Sequence, residues 1–241
     1  MRLAILSDIH GNSVALDACL ADLQVQGGAD TIVVAGDLCM DGPRPKKVVD
    51  RLIELEAIGV RGNTDRYLCQ AKDELVGLEQ EQMLWTRAAL GEKRLRWLSE
   101  LPVELRFGDA ENQLLVVHAN PTNDDEHLWP DASDDLLERL LGNEQAKVIA
   151  FGHVHLPYVR LWRGRMLVNV ASAGLPKDGD PRASYALLTL RSGGWQVKHR
   201  RVPFDTKRVA KQLIDCGIPG VDDLIATFRR HRYKKIAGIV P

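Results

Sequence analysis

Four short apolar runs, residues 3–6, 31–35, 114–117 and 148–151, most restrict what this chain can become. Each is too short for a buried helix and, being dense in Val, Ile and Leu, reads as a strand covered on both faces. The cover lies between them in sequence. Leu16, Cys19, Leu20 and Leu23 fall at i, i+3, i+4 and i+7 of a helix that Asn12 or Ser13 can cap. After Pro45, Val49, Leu52, Ile53 and Leu55 repeat the idea, with Gly59 just beyond the end. The opening is thus a βαβαβ unit. Helical pattern resumes over residues 65–100 with no strand and with breaks at Gly77 and Gly91, and a further helix is expected from a Ser133 cap to Gly142.

The texture changes after residue 155. Apolar runs 158–162 and 166–170 flank Arg163-Gly164, and runs 185–190 and 195–202 flank Ser192-Gly193-Gly194, which predicts two hairpins. From Asp205 the pattern is helical again and ends in the basic run FRRHRYKK. With no repeat and no low-complexity linker, the expected organisation is one domain over 1–204, with 205–241 as its helical extension.

Composition narrows the function classes. At 241 residues, 45% hydrophobic and 27% charged, the chain can bury a full core without staples. Lys plus Arg total 32 against 33 Asp plus Glu, a formal net charge of -1, so nothing in the overall balance draws it to nucleic acid or an anionic membrane. Cys19, Cys39, Cys69 and Cys216 form no CxxC pair, which predicts reduced thiols in a cytoplasmic protein. The first apolar run meets Asp8 and His10 too early for a signal-peptide core, and no run is long enough to cross a bilayer.

Five segments place ligand-type residues directly after an apolar strand: SDIHGN from Ser7, AGDLCMDGP from Ala35, RGNTD from Arg61, VVHAN from Val116 and FGHVHLP from Phe151. In open α/β sheets such strand ends converge on one crevice. Alone, His118 reads as a core histidine and Asp8-Ile9-His10 as a turn. His153 and His155, placed i and i+2 on an extended segment, would point to one side, where two imidazoles resist burial unless paired or metallated. Asp8, Asp37, His10, His118, His153, His155 and Asn63 offer two carboxylates, four imidazoles and an amide oxygen. Such mixed donors suit Mn, Fe, Co, Ni or Zn. Seven are too many for one ion and fit two divalent ions about 3.5–4 Å apart, whose excess positive charge attracts phosphate.

These blocks resemble the calcineurin-like metallophosphoesterase family, whose pattern runs D-x-H, G-D, G-N-[H/C/T]-[D/E], a strand-end His and G-H-x-H. All five occur in order over residues 8–155, and the stretch from Asn169 to Tyr185 resembles a later segment of small bacterial members. The resemblance implies a four-layer α/β/β/α sandwich of two mixed sheets. It assigns Asp8, His10 and His155 to a first metal, Asn63, His118 and His153 to a second, and Asp37 as the bridge. It also implies in-line attack on phosphorus by a hydroxide held between the ions.

One departure bears on substrate. Many members carry His where this chain has Thr64, and a threonine hydroxyl does not titrate near neutrality, so the general acid is missing and phosphodiesters should be favoured over alkyl monoesters. Asp37, Asn63 and Asp65 are the expected catalytic set, with Asp65 read as an orienting acceptor rather than a proton donor. Asn12, Thr64, His127 and Arg182 are the expected substrate contacts. Lys177 is read chiefly as a surface cation, and Ala119-Asn120-Pro121 after His118 as narrowing access to the second metal. The competing readings are a phosphomonoesterase or protein phosphatase, a dinucleoside polyphosphate hydrolase, a nuclease, and a scaffold that keeps the fold without catalysis. The seven filled positions argue against the scaffold. The expected partner is a small phosphorylated substrate, with no membrane and with nucleic acid only as a phosphodiester substrate; a second copy of the chain is a further candidate.

Overall fold

Period-two alternation in the buried strands sets the layers. In β1 (Arg2–Leu6), Leu3 and Ile5 enter one core while Ala4 and Leu6 enter another, and β2 (Thr31–Ala35) divides Val33 and Ala35 from Ile32 and Val34 in the same way. The computed structural model, which describes residues 1–70 and 75–232, shows what these faces meet. After β1 come α1 (Ser13–Val25), β2, α2 (Pro45–Glu54), β3 (Ile58–Val60), α3 (Asn63–Gln70) and α4 (Gly77–Ser99). These are followed by β4 (Leu105–Phe107), β5 (Leu114–Val116), α5 (Asp134–Leu141), β6 (Val148–Phe151), β7 (Tyr158–Trp162) and β8 (Arg165–Asn169). β9 (Ala183–Arg191), β10 (Gly194–Val202), α6 (Thr206–Cys216) and α7 (Val221–Arg230) complete the order.

Two five-stranded mixed sheets result, β10-β9-β1-β2-β3 and β4-β5-β6-β8-β7. Leu3, Ile5, Val33, Val60, Leu114, Val116, Val148, Ala150 and Val168 fill the space between them. The other face of the first sheet packs on α1, α2 and α4 through residues such as Leu16, Leu20, Leu52 and Leu90, and that of the second on α5 through Leu137, Leu140 and Leu141. The architecture is the expected four-layer α/β/β/α sandwich.

Local expectations meet the structure closely at the breaks. Gly91 has helix-breaking torsions (φ 69°, ψ 168°) and kinks α4, and Gly77 opens that helix at φ 59°. Strand β4 was not foreseen, because three residues with one apolar pair give no periodicity to read. Helices α6 and α7 pack Val209, Leu213, Leu224 and Phe228 onto Val14 and Leu175, so the C-terminal helices touch the segments that follow β1 and β8. Of the basic run, Arg229 and Arg230 end α7, while residues 233–235 lie outside the described residues.

Candidate metal centre

Each ligand-type residue leaves its strand on a tight turn. Among the described residues, ten non-glycine residues have positive φ, and five of them are Asp8, His10, Asp37, His153 and His155. That region is uncommon for residues with a Cβ, and its concentration at one crevice marks a site held by its surroundings. The extended reading of 153–155 is corrected here. Val154 N–H donates to Gly152 O at 2.7 Å, and both histidines take left-handed torsions (φ 64° and 57°). The segment therefore turns, and the two imidazoles part: His155 joins Asp8 and His10, and His153 joins Asp37 and His118, each trio offering ligand atoms within 4.8 Å of one another.

Carbonyl partners fix which ring nitrogen is free, since a carbonyl only accepts. His10 Nδ1 donates to Met40 O (3.1 Å), His118 Nδ1 to Ala35 O (2.7 Å) and His155 Nδ1 to Leu175 O, which leaves three Nε2 atoms facing inward. His153 is reversed, donating from Nε2 to Asp125 O (2.8 Å) and keeping Nδ1 free. The inward Nε2 atoms of His10 and His155 lie 3.4 Å apart. His118 Nε2 faces Asn63 Oδ1 at 3.0 Å and Asp37 Oδ1 at 3.3 Å.

Asp37, a member of the second trio, also faces the first, with Oδ1 toward His118 and Oδ2 3.9 Å from His10 Nε2. Asp8 Oδ2 accepts His153 N–H (2.9 Å), whereas Oδ1 is buried 3.1 Å from His155 Nε2 without hydrogen-bond geometry. Acceptors and lone pairs thus converge from all sides, an arrangement that requires positive charge at its centre, and these nitrogen and oxygen donors fit divalent cations.

The electrostatics agree. Burial alone would raise Asp8, yet the neighbouring His155 holds it down to about 2, and Asp37 is likewise held well below the carboxylate range against its burial by His118 and His10. Burial pushes His153 down to about 3 and His155 to about 4, so both are neutral bases as metal ligation needs. His118 differs: burial opposes its charge, but the Asp37 carboxylate lifts it to about 10, so its Nε2 must give up a proton to ligate a cation.

Asp65 is a brace. Its carboxylate accepts the N–H groups of Asp37 (2.9 Å), Leu38 (3.0 Å) and Gly62 (3.1 Å), tying the second block to the third. Burial and the Asp37 charge push this carboxyl up to about 7. Asp65→Ala is expected to lower metal affinity about 10–100-fold, measured by metal titration, because the ligand loop loses its anchor.

Two expected substrate contacts are placed differently. Asn12 is buried, with Oδ1 capping α1 at Ala15 N (3.1 Å) and Nδ2 donating to Gly174 O (2.8 Å), so neither end of its amide remains for substrate. Arg182 is exposed and its guanidinium is engaged by Asp180 at 2.7–3.1 Å. Thr64 stays at the centre: its N–H donates to Asp37 Oδ1 (3.0 Å) and its buried hydroxyl has no hydrogen-bond partner among the described residues. His127 is also brought in, its ring 4.3 Å from that of His153 and stacked on Trp129 at 5.0 Å. Burial and the Lys177 ammonium lower its pKa. Lys177, read as a surface cation, is half-buried, and Asp41, Asp8 and Asp37 lie within its electrostatic range.

Sequence reasoning took Asn120 only as narrowing access to the second metal and missed its part in building the loop. Its Oδ1 accepts Thr122 N–H (2.9 Å) and Asn123 N–H (2.9 Å), and its Nδ2 donates to Glu126 O (2.8 Å), shaping the loop that delivers Asp125 and His127. The Asn-Pro pair at 120–121 is a turn signal that could have shown it. A cavity of about 290 Å³, lined by His118, Arg61, Arg66, Asn120 and Asn123, opens beside this loop.

Comparison with known proteins bears on the same residues. The sequence pattern of the calcineurin-like phosphoesterase superfamily domain matches residues 1–193. Phosphodiesterase YfcE of Escherichia coli is 31% identical over 207 residues, covering 78% of this chain and 87% of the relative. An uncharacterised protein of Methanocaldococcus jannaschii is 27% identical over 90% of this chain and 93% of its own length. Among solved structures, a metallophosphoesterase from Sphaerobacter thermophilus superposes with a TM-score of 0.80 at 28% identity, covering 96% of this chain and 99% of that one.

Proposed function

We propose, since the chain belongs to the calcineurin-like phosphoesterase superfamily, that it hydrolyses small phosphodiesters with two divalent transition-metal ions drawn from Mn, Fe, Co, Ni and Zn. The observation that carries this reading is the inward convergence of seven donors, with Asp37 turned toward both trios. Asp8, His10 and His155 would hold one ion, Asn63, His118 and His153 the other, and Asp37 both. When bound, such ions supply Lewis-acid stabilisation of charge on the phosphoryl oxygens and a water acidic enough to act as nucleophile near neutral pH.

The chain's own residues position this chemistry. The carbonyls of Ala35, Met40, Asp125 and Leu175 fix all four imidazoles, and Asp65 fixes the loop of Asp37, so little reorganisation remains at the moment of reaction. The cavity beside His118 suits a small ester group. Its free thiols and the absence, among the described residues, of a helix long and apolar enough to cross a membrane support a cytoplasmic enzyme.

Preference for diesters rests on Thr64, which stands where many family members carry a histidine and whose buried hydroxyl does not titrate near neutrality, and the phosphodiesterase named among its relatives supports it. A positioned general acid is worth about 10²–10⁴-fold. A leaving-group series should therefore show a steep dependence of kcat/KM on leaving-group pKa in the wild type and a flatter one in Thr64→His. A monoesterase reading has one observation in its favour, the His127 ring against His153. A shallow dependence in the wild type that steepens in His127→Ala would decide for it.

A further inference from the structure

The segment from Ser172 to Asp180 carries a cation that the ligand set does not use. Its first half is tied to the first trio: Ser172 Oγ donates to Asp8 O (2.7 Å), Gly174 N–H to Asp8 O (3.0 Å), and Leu175 O receives His155 Nδ1–H. Its second half is tied to the residues just after α7, where Gly179 N–H donates to His231 O (2.6 Å) and Asp178 pairs with Arg232 in an antiparallel β-bridge. Beneath it, Leu175 packs on Val209, Leu213, Leu224 and Phe228 of α6 and α7. Lys177 stands between these two anchors, half-buried.

We propose that Lys177 is the substrate-binding cation that receives the phosphoryl oxygens, and that α6 and α7, which lie beyond the matched family domain, are the positioning element that holds it there. This rests on the phosphoester reading above and names a residue within it. The placement is specific. Lys177 is within electrostatic range of Asp8, Asp37, Asp41, His155 and His127. A fixed ammonium beside a site for divalent cations weakens cation binding by repulsion. Its position becomes favourable when an oxyanion joins the site, because the ammonium then forms a charge-assisted hydrogen bond.

The test uses metal-loaded, full-length protein and inorganic phosphate as the probe. Lys177→Met keeps the buried stem and removes the charge, and Lys177→Arg restores it. In Lys177→Met the phosphate Kd by calorimetry and the KM for a phosphodiester are expected to rise about 10–100-fold, with kcat changed far less and metal content by elemental analysis unchanged. Lys177→Arg should recover most of the phosphate affinity. Unchanged phosphate affinity in Lys177→Met, or a loss that follows loss of metal, overturns the proposal. If the wild type binds phosphate in a Lys177-dependent way but hydrolyses no phosphoester, the activity reading fails and this assignment stands. If the wild type binds no phosphate, both fail.

Discussion

Asp37→Ala is expected to reduce phosphodiester hydrolysis by at least about 10³-fold, beyond the loss that follows removal of a single stabilising donor. Asp37 is the group whose two oxygens face different trios, Oδ1 toward His118 and Oδ2 toward His10, so its removal affects both ion positions and the spacing between them. Its Oδ1 also accepts Thr64 N–H, so the third block loses a contact as well. Elemental analysis of the variant should show fewer than two metals per chain. Wild-type kcat/KM with two metals retained would mean that Asp37 does not bridge.

Gly152→Ala is the second large effect. A Cβ at this position would lie 1.9 Å from Ser7 Oγ and 2.4 Å from Asp8 Oδ2. Those are positions real atoms cannot share, and Ser7 cannot yield freely because its hydroxyl donates to Ala35 O at 2.9 Å. The turn carrying His153 and His155 must therefore move away from Asp8, breaking the bond from His153 N–H to Asp8 Oδ2. Overpacking of this kind costs about 1–3 kcal/mol, which corresponds to a Tm lower by roughly 2–12 °C in a chain of this size. Activity should fall further, since the displaced turn brings two of the seven donors. Gly193→Ala is the matched control, because nothing lies within 4 Å of its added carbon. Equal Tm and activity in the two variants would contradict the packing described.

How much of this was legible in the sequence differs by element. Strands β1, β2, β5 and β6 are legible because residues buried on both faces leave unbroken apolar runs, and the two hairpins because Arg163-Gly164 and Ser192-Gly193-Gly194 mark their turns. The meeting of Asp8, His10 and His155 followed from strand-end placement together with the family's block order. What the sequence does not carry is orientation. Nothing in His153-Val154-His155 shows that Val154 N–H would close a turn and send the two rings to different trios. Nothing in Asn12 shows that Gly174, 162 residues away, would take its amide. The packing of Leu175, two residues before Lys177, on α6 and α7 is a long-range contact with no local signature. Asp65 is the opposite case: an acidic residue in the first turn of a helix that follows a strand is a natural acceptor for backbone N–H groups, and three of them reach it.

The central claim, that hydrolysis depends on two cations held by these seven residues, is tested most directly by titrating metal into exhaustively chelated protein while following hydrolysis of bis(p-nitrophenyl) phosphate. Chelated protein should be inactive, and activity should return with Mn or another divalent transition metal and reach its plateau at about two equivalents per chain. Full activity after chelation, or a plateau at one equivalent, would contradict it.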